Sequence, residues 1–107
     1  MHRGEVWWAN LPQPVGRRPM LLLSRDMAYQ VRTSITVAAI TRTIRRIPVE
    51  VSLDVEDGMP ERCVVNLDDI MTIPKLLLSE RITTLPRAKM ALVANAILFA
   101  LDLEREG

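Results

Sequence analysis

Residues 49–54 read Val-Glu-Val-Ser-Leu-Asp, and apolar and polar side chains alternate along them without a break. This alternation is typical of a β-strand that buries one face. Similar short segments lie before it, at residues 5–10, 18–24 and 34–41, and after it, at residues 62–67, 70–73 and 81–84. Because they follow one another closely with no helix between them, they predict an antiparallel barrel rather than a parallel sheet.

One helix is predicted after the strands. Pro86 suits the first turn of a helix, and the apolar spacing extends the helix over residues 86–103. Its apolar residues form two stripes, one of Met90, Val93, Ala94, Ile97 and Leu101 and one of Leu92, Phe99 and Leu103. The sheet covers one stripe. The other either meets a partner subunit or consists of scattered exposed apolar residues.

The composition excludes several kinds of site. A length of 107 residues predicts a single domain over residues 1–107. One Cys excludes an internal disulfide framework and a zinc site built from cysteines, and one His excludes catalysis that needs two histidines in one chain. Cys63 lies within a strand pattern and is predicted to be a small core residue rather than a nucleophile. With neither a secretory signal nor an apolar segment of about 20 residues, a cytoplasmic protein without membrane contact is expected.

Positive charge is concentrated in the first half of the chain. The net charge of +1 conceals eight Arg against two acids in residues 1–46, a net +6, and six basic residues against eleven acids in residues 47–107, a net −5. Such asymmetry predicts a surface that attracts an anion, unless acids nearby in space balance it.

Arg17 and Arg18 stand directly before Pro19 at the start of a predicted strand, and Thr41 ends another. Pro19 pushes Arg18 toward an extended backbone, which holds Arg18 at the rim of the sheet. A guanidinium and a hydroxyl both donate hydrogen bonds to phosphate oxygens, so this pair is consistent with phosphate recognition. The acidic pair at residues 68–69 is typical either of a turn or cap or of a site for a divalent ion.

Five segments in order carry a family resemblance: residues 3–8 (Arg-Gly-Glu-Val-Trp-Trp), 16–19 (Gly-Arg-Arg-Pro), 37–41 (Val-Ala-Ala-Ile-Thr), 63–68 (Cys-Val-Val-Asn-Leu-Asp) and 72–75 (Thr-Ile-Pro-Lys). Over nearly its full length the chain resembles the MazF/PemK (Kid) family of toxin endoribonucleases, the mRNA interferases of type II toxin–antitoxin systems. The resemblance implies a mainly β (α+β) fold, an SH3-like antiparallel small barrel with a C-terminal helix as in CcdB and PemK. It also implies a homodimer and a cognate MazE-like antitoxin.

The activity that the resemblance implies is sequence-selective cleavage of single-stranded RNA, including mRNA, without a metal or other cofactor. The 2′-hydroxyl attacks the adjacent phosphorus and leaves a 2′,3′-cyclic phosphate and a 5′-hydroxyl end. By resemblance, the catalytic residues are Arg18, Thr41 and Asp68. Arginine is too basic to serve as the free base, which leaves Asp68 as the candidate. The residues expected to bind RNA are Arg17, Arg42, Thr43, Arg45, Arg46 and Asn66, and one of the two tryptophans at positions 7 and 8 is a candidate to stack a base while the other is core.

The chain departs from the family pattern at two positions. Met71 and Pro74 stand where many members have Arg and Asp, so a phosphate or base contact is expected to be missing. Two alternatives therefore stay open: a CcdB-like toxin that binds a protein such as gyrase without enzymatic action, and a barrel that binds RNA without cutting it.

Overall fold

The computed structural model describes residues 1–104. Its six strands form one curled antiparallel sheet in the order β4-β5-β3-β2-β1-β6, with α2 following the last strand. The elements are β1 (Glu5–Asn10), β2 (Arg17–Leu22), α1 (Ala28–Val31), β3 (Ser34–Thr41), β4 (Glu50–Leu53), β5 (Cys63–Pro74), β6 (Leu78–Thr84) and α2 (Arg87–Ala100), with 3₁₀ turns at Val55–Asp57 and Lys75–Leu77. The predicted mainly β, antiparallel fold with a C-terminal helix is confirmed.

The two central strands, β2 and β3, are buried on both faces. On one face Leu21 and Ala38 pack in a core that includes Val93 of α2, which we call the α2-side core. On the other face Met20 packs in a core with Tyr29 of α1, the α1-side core. Burial on both faces explains why residues 20–23 form a continuous apolar run instead of alternating.

Helix α2 buries one apolar stripe and exposes the other. Val93 and Ala96 are buried, and Met90 and Ile97 pack partly against the same core. Leu101, which was predicted to belong to the buried stripe, is instead exposed because the helix ends at Ala100, three residues before the predicted end. Leu92 and Phe99 of the second stripe are each more than half exposed on α2. Leu103, which was predicted to lie on the helix, is also more than half exposed but follows the end of the helix.

Strand β5 differs from the prediction of two separate segments. It is one strand of twelve residues with an irregularity where the gap was expected. Its pairing with β3 passes from Ala38 opposite Ile70 to Ala39 opposite Asn66, so residues 67–69 bulge out of the ladder. Asp68 and the acid after it are exposed at this bulge.

Two other elements depart from the sequence pattern. Strand β6 begins three residues earlier than predicted, at Leu78. Helix α1 was not predicted, because its four residues are too few to show a helical period. Within residues 1–104, no helix has both the length and the apolar character needed to cross a membrane.

The packing of α2 leads to a test with matched valines. Val93 is fully buried, whereas Val31 of α1 is 64% exposed. We expect Val93→Ala to lower the free energy of unfolding by about 2 kcal/mol, through lost apolar burial and the void it leaves. Val31→Ala should change it by less than about 0.5 kcal/mol. Urea unfolding of both variants measures the difference. Equal effects would contradict the packing of the Val93 face of α2 against the sheet.

Candidate functional site

The antiparallel sheet brings Arg18 and Thr41 to the same edge. Strand β2 begins where β1 and β3 end, and Met20 pairs with Ala39. Continuing that register by two positions places Arg18 opposite Thr41. Since neighbouring strands lie about 4.8 Å apart, the guanidinium and the hydroxyl reach into the same space beyond the sheet.

A cavity of about 380 Å³ lies at this edge. Five of the nine predicted site residues line it: Arg17, Arg18, Thr41, Arg42 and Thr43. The rest of the lining comes from Trp8, Pro19, Ile40, residues 59–61 and Cys63. Four separate segments of the chain thus meet around one concave surface that carries three arginines.

The three arginines of the cavity differ in how their charge is balanced. Arg17 Nη2 lies 2.8 Å from Glu80 Oε1, and Arg42 Nη1 lies 3.5 Å from Glu61 Oε1. Among residues 1–104, Arg18 forms neither an ion pair nor a side-chain hydrogen bond. Arg18 is therefore the cation of the cavity whose charge is available to an anion.

The Thr41 hydroxyl is oriented by its own loop. Its Oγ1 accepts a hydrogen bond from the backbone N–H of Thr43 at 3.1 Å. A hydroxyl that accepts one bond still has its own proton to donate. Thr41 can therefore donate a hydrogen bond to an oxygen that lies beside Arg18.

The other four predicted residues lie outside the cavity lining. Asp68 is at the β5 bulge, where its backbone N–H donates to Asn66 Oδ1 at 3.0 Å. The backbone N–H groups of Arg45 and Arg46 each donate to Glu50 Oε1 at 2.9 Å, which fixes the loop after β3. The structure thus divides the predicted site into a cavity group and a group along the loop and the bulge.

Several residues of the site were not predicted. Glu61 and Glu80 come from the acidic half of the chain and balance Arg42 and Arg17 of the basic half. The charge asymmetry indicated that such pairs exist, but nothing in the sequence identified the partners. The two tryptophans separate as expected for one core residue and one surface residue: Trp7 packs against the α1-side core, whereas Trp8 lines the cavity.

Cys63 forms part of the cavity wall without being reactive. The residue is 3% exposed and belongs to the α2-side core, in agreement with its predicted place. Burial, and after it the nearby acids Glu61, Asp54 and Asp57, raise the pKa of its thiol to about 11. At neutral pH the group is a thiol and not a thiolate, so it is a poor nucleophile.

The acidic pair at the bulge, Asp68 and Asp69, was one candidate for a divalent-ion site. Within the part of the chain that the structure describes, no three His, Cys, Asp or Glu residues, these two included, are grouped closely enough to hold a metal ion.

The fold and the cavity together define a small antiparallel β protein whose cavity brings arginine and threonine side chains together. Residues 2–101 match the family described as PemK-like, MazF-like toxin of type II toxin-antitoxin system. A probable endoribonuclease, MazF5 of Mycobacterium tuberculosis, is 38% identical over 104 residues, which cover 96% of this chain and 94% of the relative.

Solved structures give the same result. The Mycobacterium tuberculosis toxin MazF-mt6 has a TM-score of 0.87 at 34% identity, over 94% of this chain and 99% of that chain. An endoribonuclease in complex with its cognate antitoxin, from a mycobacterial species, has a TM-score of 0.88 at 26% identity, over 99% of each chain. The chain belongs to the PemK-like, MazF-like toxins of type II toxin–antitoxin systems, and the predictions of this family and of an endoribonuclease are confirmed.

The buried thiol predicts how stability depends on pH. The pKa of Cys63 is about 11 in the folded chain against an ordinary value of 9.0, so folding favours the protonated form. Its contribution is complete below pH 9 and is lost as the pH rises toward 11. Between pH 8 and about pH 10.5 the wild type should lose about 2 kcal/mol of unfolding free energy that Cys63→Ala does not lose.

Tyr29 provides the control. Burial raises its pKa from 10.0 to about 12, so the stability that its protonated form contributes begins to be lost about one pH unit higher than that of Cys63. Urea unfolding of the wild type, Cys63→Ala and Tyr29→Phe at both pH values separates the two groups. A Cys63→Ala variant with the same pH dependence as the wild type would contradict the assignment.

Proposed function

We propose that the chain cleaves single-stranded RNA, including mRNA, without a metal, by attack of a 2′-hydroxyl on the adjacent phosphorus held by Arg18 and Thr41. The observation that carries this proposal is the pairing of an uncompensated guanidinium with a hydroxyl that is free to donate, on adjacent strand ends in one cavity. Its relatives bear the names of endoribonucleases, which agrees with this chemistry.

In the proposed step the 2′-oxygen forms a bond to phosphorus while the bond from phosphorus to the 5′-oxygen breaks. The 2′-proton passes to a base and the leaving 5′-oxygen takes up a proton, which gives a 2′,3′-cyclic phosphate and a 5′-hydroxyl. Negative charge grows on the two nonbridging oxygens. Donors already aimed at those oxygens stabilise this charge, and Arg18 supplies a fork of donors that matches them.

Asp68 is the proposed acceptor of the 2′-proton. The register places it on the strand next to Thr41, past the pairing of Ala39 with Asn66 and outside the cavity lining. Because the attacking 2′-oxygen is a direct neighbour of the scissile phosphorus, this role requires the phosphate to lie where the Thr41 end of β3 approaches the bulge. Asn66, whose Oδ1 already accepts from Asp68 N–H, offers its amide N–H groups to the same RNA.

The remaining predicted residues are proposed to bind flanking RNA. Arg42 and Thr43 line the cavity, and Arg45 and Arg46 follow them along an exposed loop. Contacts of these arginines with phosphates would make affinity fall with salt. Met71 does not extend this surface, because it packs against the α1-side core.

We further propose a homodimer that a cognate MazE-like antitoxin neutralises in the cytoplasm. One related endoribonuclease has been solved in complex with its cognate antitoxin. In this chain Leu92 and Phe99 of α2, with Leu103 just after the helix, leave an exposed apolar surface that a second subunit would cover. Burying such apolar area is the main driving force for stable subunit association.

The cavity residues are tested on a long single-stranded RNA in the presence of EDTA, with the product ends mapped. Arg18→Ala and Thr41→Val should each lower the cleavage rate by about 10²–10³, because each removes one donor to the developing charge. Thr41→Ser keeps the hydroxyl and should retain most of the activity.

The matched control is Arg32→Ala. Arg32 is an exposed arginine that directly follows α1 and precedes β3, so it lies at the end of β3 away from Thr41. The variant should cleave as the wild type does. No cleavage by the wild type, or equal rates for wild type and Arg18→Ala, would contradict the proposal. Gyrase inhibition without RNA cleavage would favour the CcdB-like alternative.

The role of Asp68 is tested separately with its neighbour as control. Asp68→Asn should lower the cleavage rate by about 10²–10⁴, the usual contribution of a general base, and flatten the acidic side of the pH–rate profile. Asp69→Asn removes an equally exposed charge at the same bulge and should have little effect. If both variants behave alike, Asp68 is not the base and its charge acts only through the general field.

A further inference from the structure

Arg17 is held differently from the other arginines of the cavity. Its guanidinium carbon lies over the ring of Trp8, 4.4 Å from the ring centroid, and its Nη2 contacts Glu80 Oε1 at 2.8 Å. Both partners are set by strand register. Trp8 on β1 pairs with Glu80 on β6, and Arg17 pairs with Asn10, two residues along β1 on the same face as Trp8.

This arrangement restrains a flat group at two points. The indole ring supports one face of the guanidinium, and the carboxylate fixes its edge. Its charge is already balanced by Glu80, so Arg17 has less to gain from a phosphate than Arg18 has. Yet the Arg17 side chain is half exposed and lines the same cavity as Arg18 and Thr41.

We propose that Arg17, supported by Trp8 and Glu80, is the surface on which an RNA base next to the scissile phosphate stacks. Unpaired RNA bases stack on aromatic rings and on guanidinium planes alike. Because Arg17 and Arg18 line the same cavity, a phosphate at Arg18 brings the base of a flanking nucleotide within reach of Arg17. This inference rests on the proposed function and assigns Arg17 to base positioning rather than to phosphate binding.

The test uses an RNA oligonucleotide whose 2′-hydroxyls are all replaced by fluorine, so that it cannot be cleaved, with 2-aminopurine placed at successive positions. The double variant Arg17→Ala with Glu80→Gln removes the stacking surface and leaves the net charge unchanged. We expect its Kd to rise about tenfold and the fluorescence quenching of one 2-aminopurine position to disappear. The slope of log Kd against log salt should stay the same. Trp8→Leu, which removes the support, should change the same position in the same direction.

The matched control is Arg42→Ala with Glu61→Gln, the other ion pair of the cavity. This double variant should keep the 2-aminopurine quenching that Arg17→Ala with Glu80→Gln abolishes. Quenching that survives the loss of Arg17 would overturn the proposal, and so would a salt slope that falls by about 0.7, the amount expected for one lost phosphate contact on a single strand.

The outcome is separate from that of the cleavage assay. Quenching that depends on Arg17, combined with no cleavage of natural RNA by the wild type, would support the stacking surface and contradict the proposed reaction. Cleavage that depends on Arg18, combined with unaltered quenching in the Arg17 pair, would support the reaction and contradict the stacking surface.

Discussion

Burial of β2 and β3 on both faces is the constraint from which the candidate site follows. A strand with a core on each side has no position for a charge, because an unpaired charge in an apolar environment costs several kcal/mol. Polar chemistry can begin only where these strands leave the cores. Arg18 and Thr41 stand at those places, one before the buried run of β2 and one after the buried run of β3. The same packing that stabilises the sheet therefore puts the two donors side by side.

Charge balance then distinguishes arginines that the sequence alone presents as equivalent. Two of the three cavity arginines are matched by acids from the second half of the chain, one from the segment before β5 and one from β6. These exposed pairs contribute little to stability, of the order of 1 kcal/mol or less each. They partly neutralise Arg17 and Arg42, whereas Arg18 has no acidic partner among residues 1–104.

The elements with a clear period were predictable from sequence. The alternation at residues 49–54 corresponds to β4, and the apolar run at residues 20–23 lies in and directly after β2. The position of Arg18 beside Thr41 could also be predicted from sequence, since neighbouring antiparallel strands bring the start of one strand beside the end of the other. The elements without a period were not predictable. The four residues of α1 show no repeat, and a ladder irregularity such as that at residues 67–69 depends on pairing with a strand distant in sequence. For the same reason no local pattern identified Glu61 and Glu80 as cavity partners.

The bulge in β5 sets how far the acids after Asn66 lie from the arginine-rich edge. Had the register of Ala39 with Asn66 continued without irregularity, Asp68 would lie opposite Val37, farther from Thr41. The irregularity instead keeps residues 67–69 between the pairings of Ala39 and Ala38, where the Asp68 backbone N–H donates to Asn66 Oδ1. Asp68 still lies outside the cavity lining, and among residues 1–104 no acid forms an ion pair with Arg18. A carboxylate within about 4 Å would neutralise Arg18, as Glu80 does Arg17. Because none lies there, the charge of Arg18 stays available for phosphate.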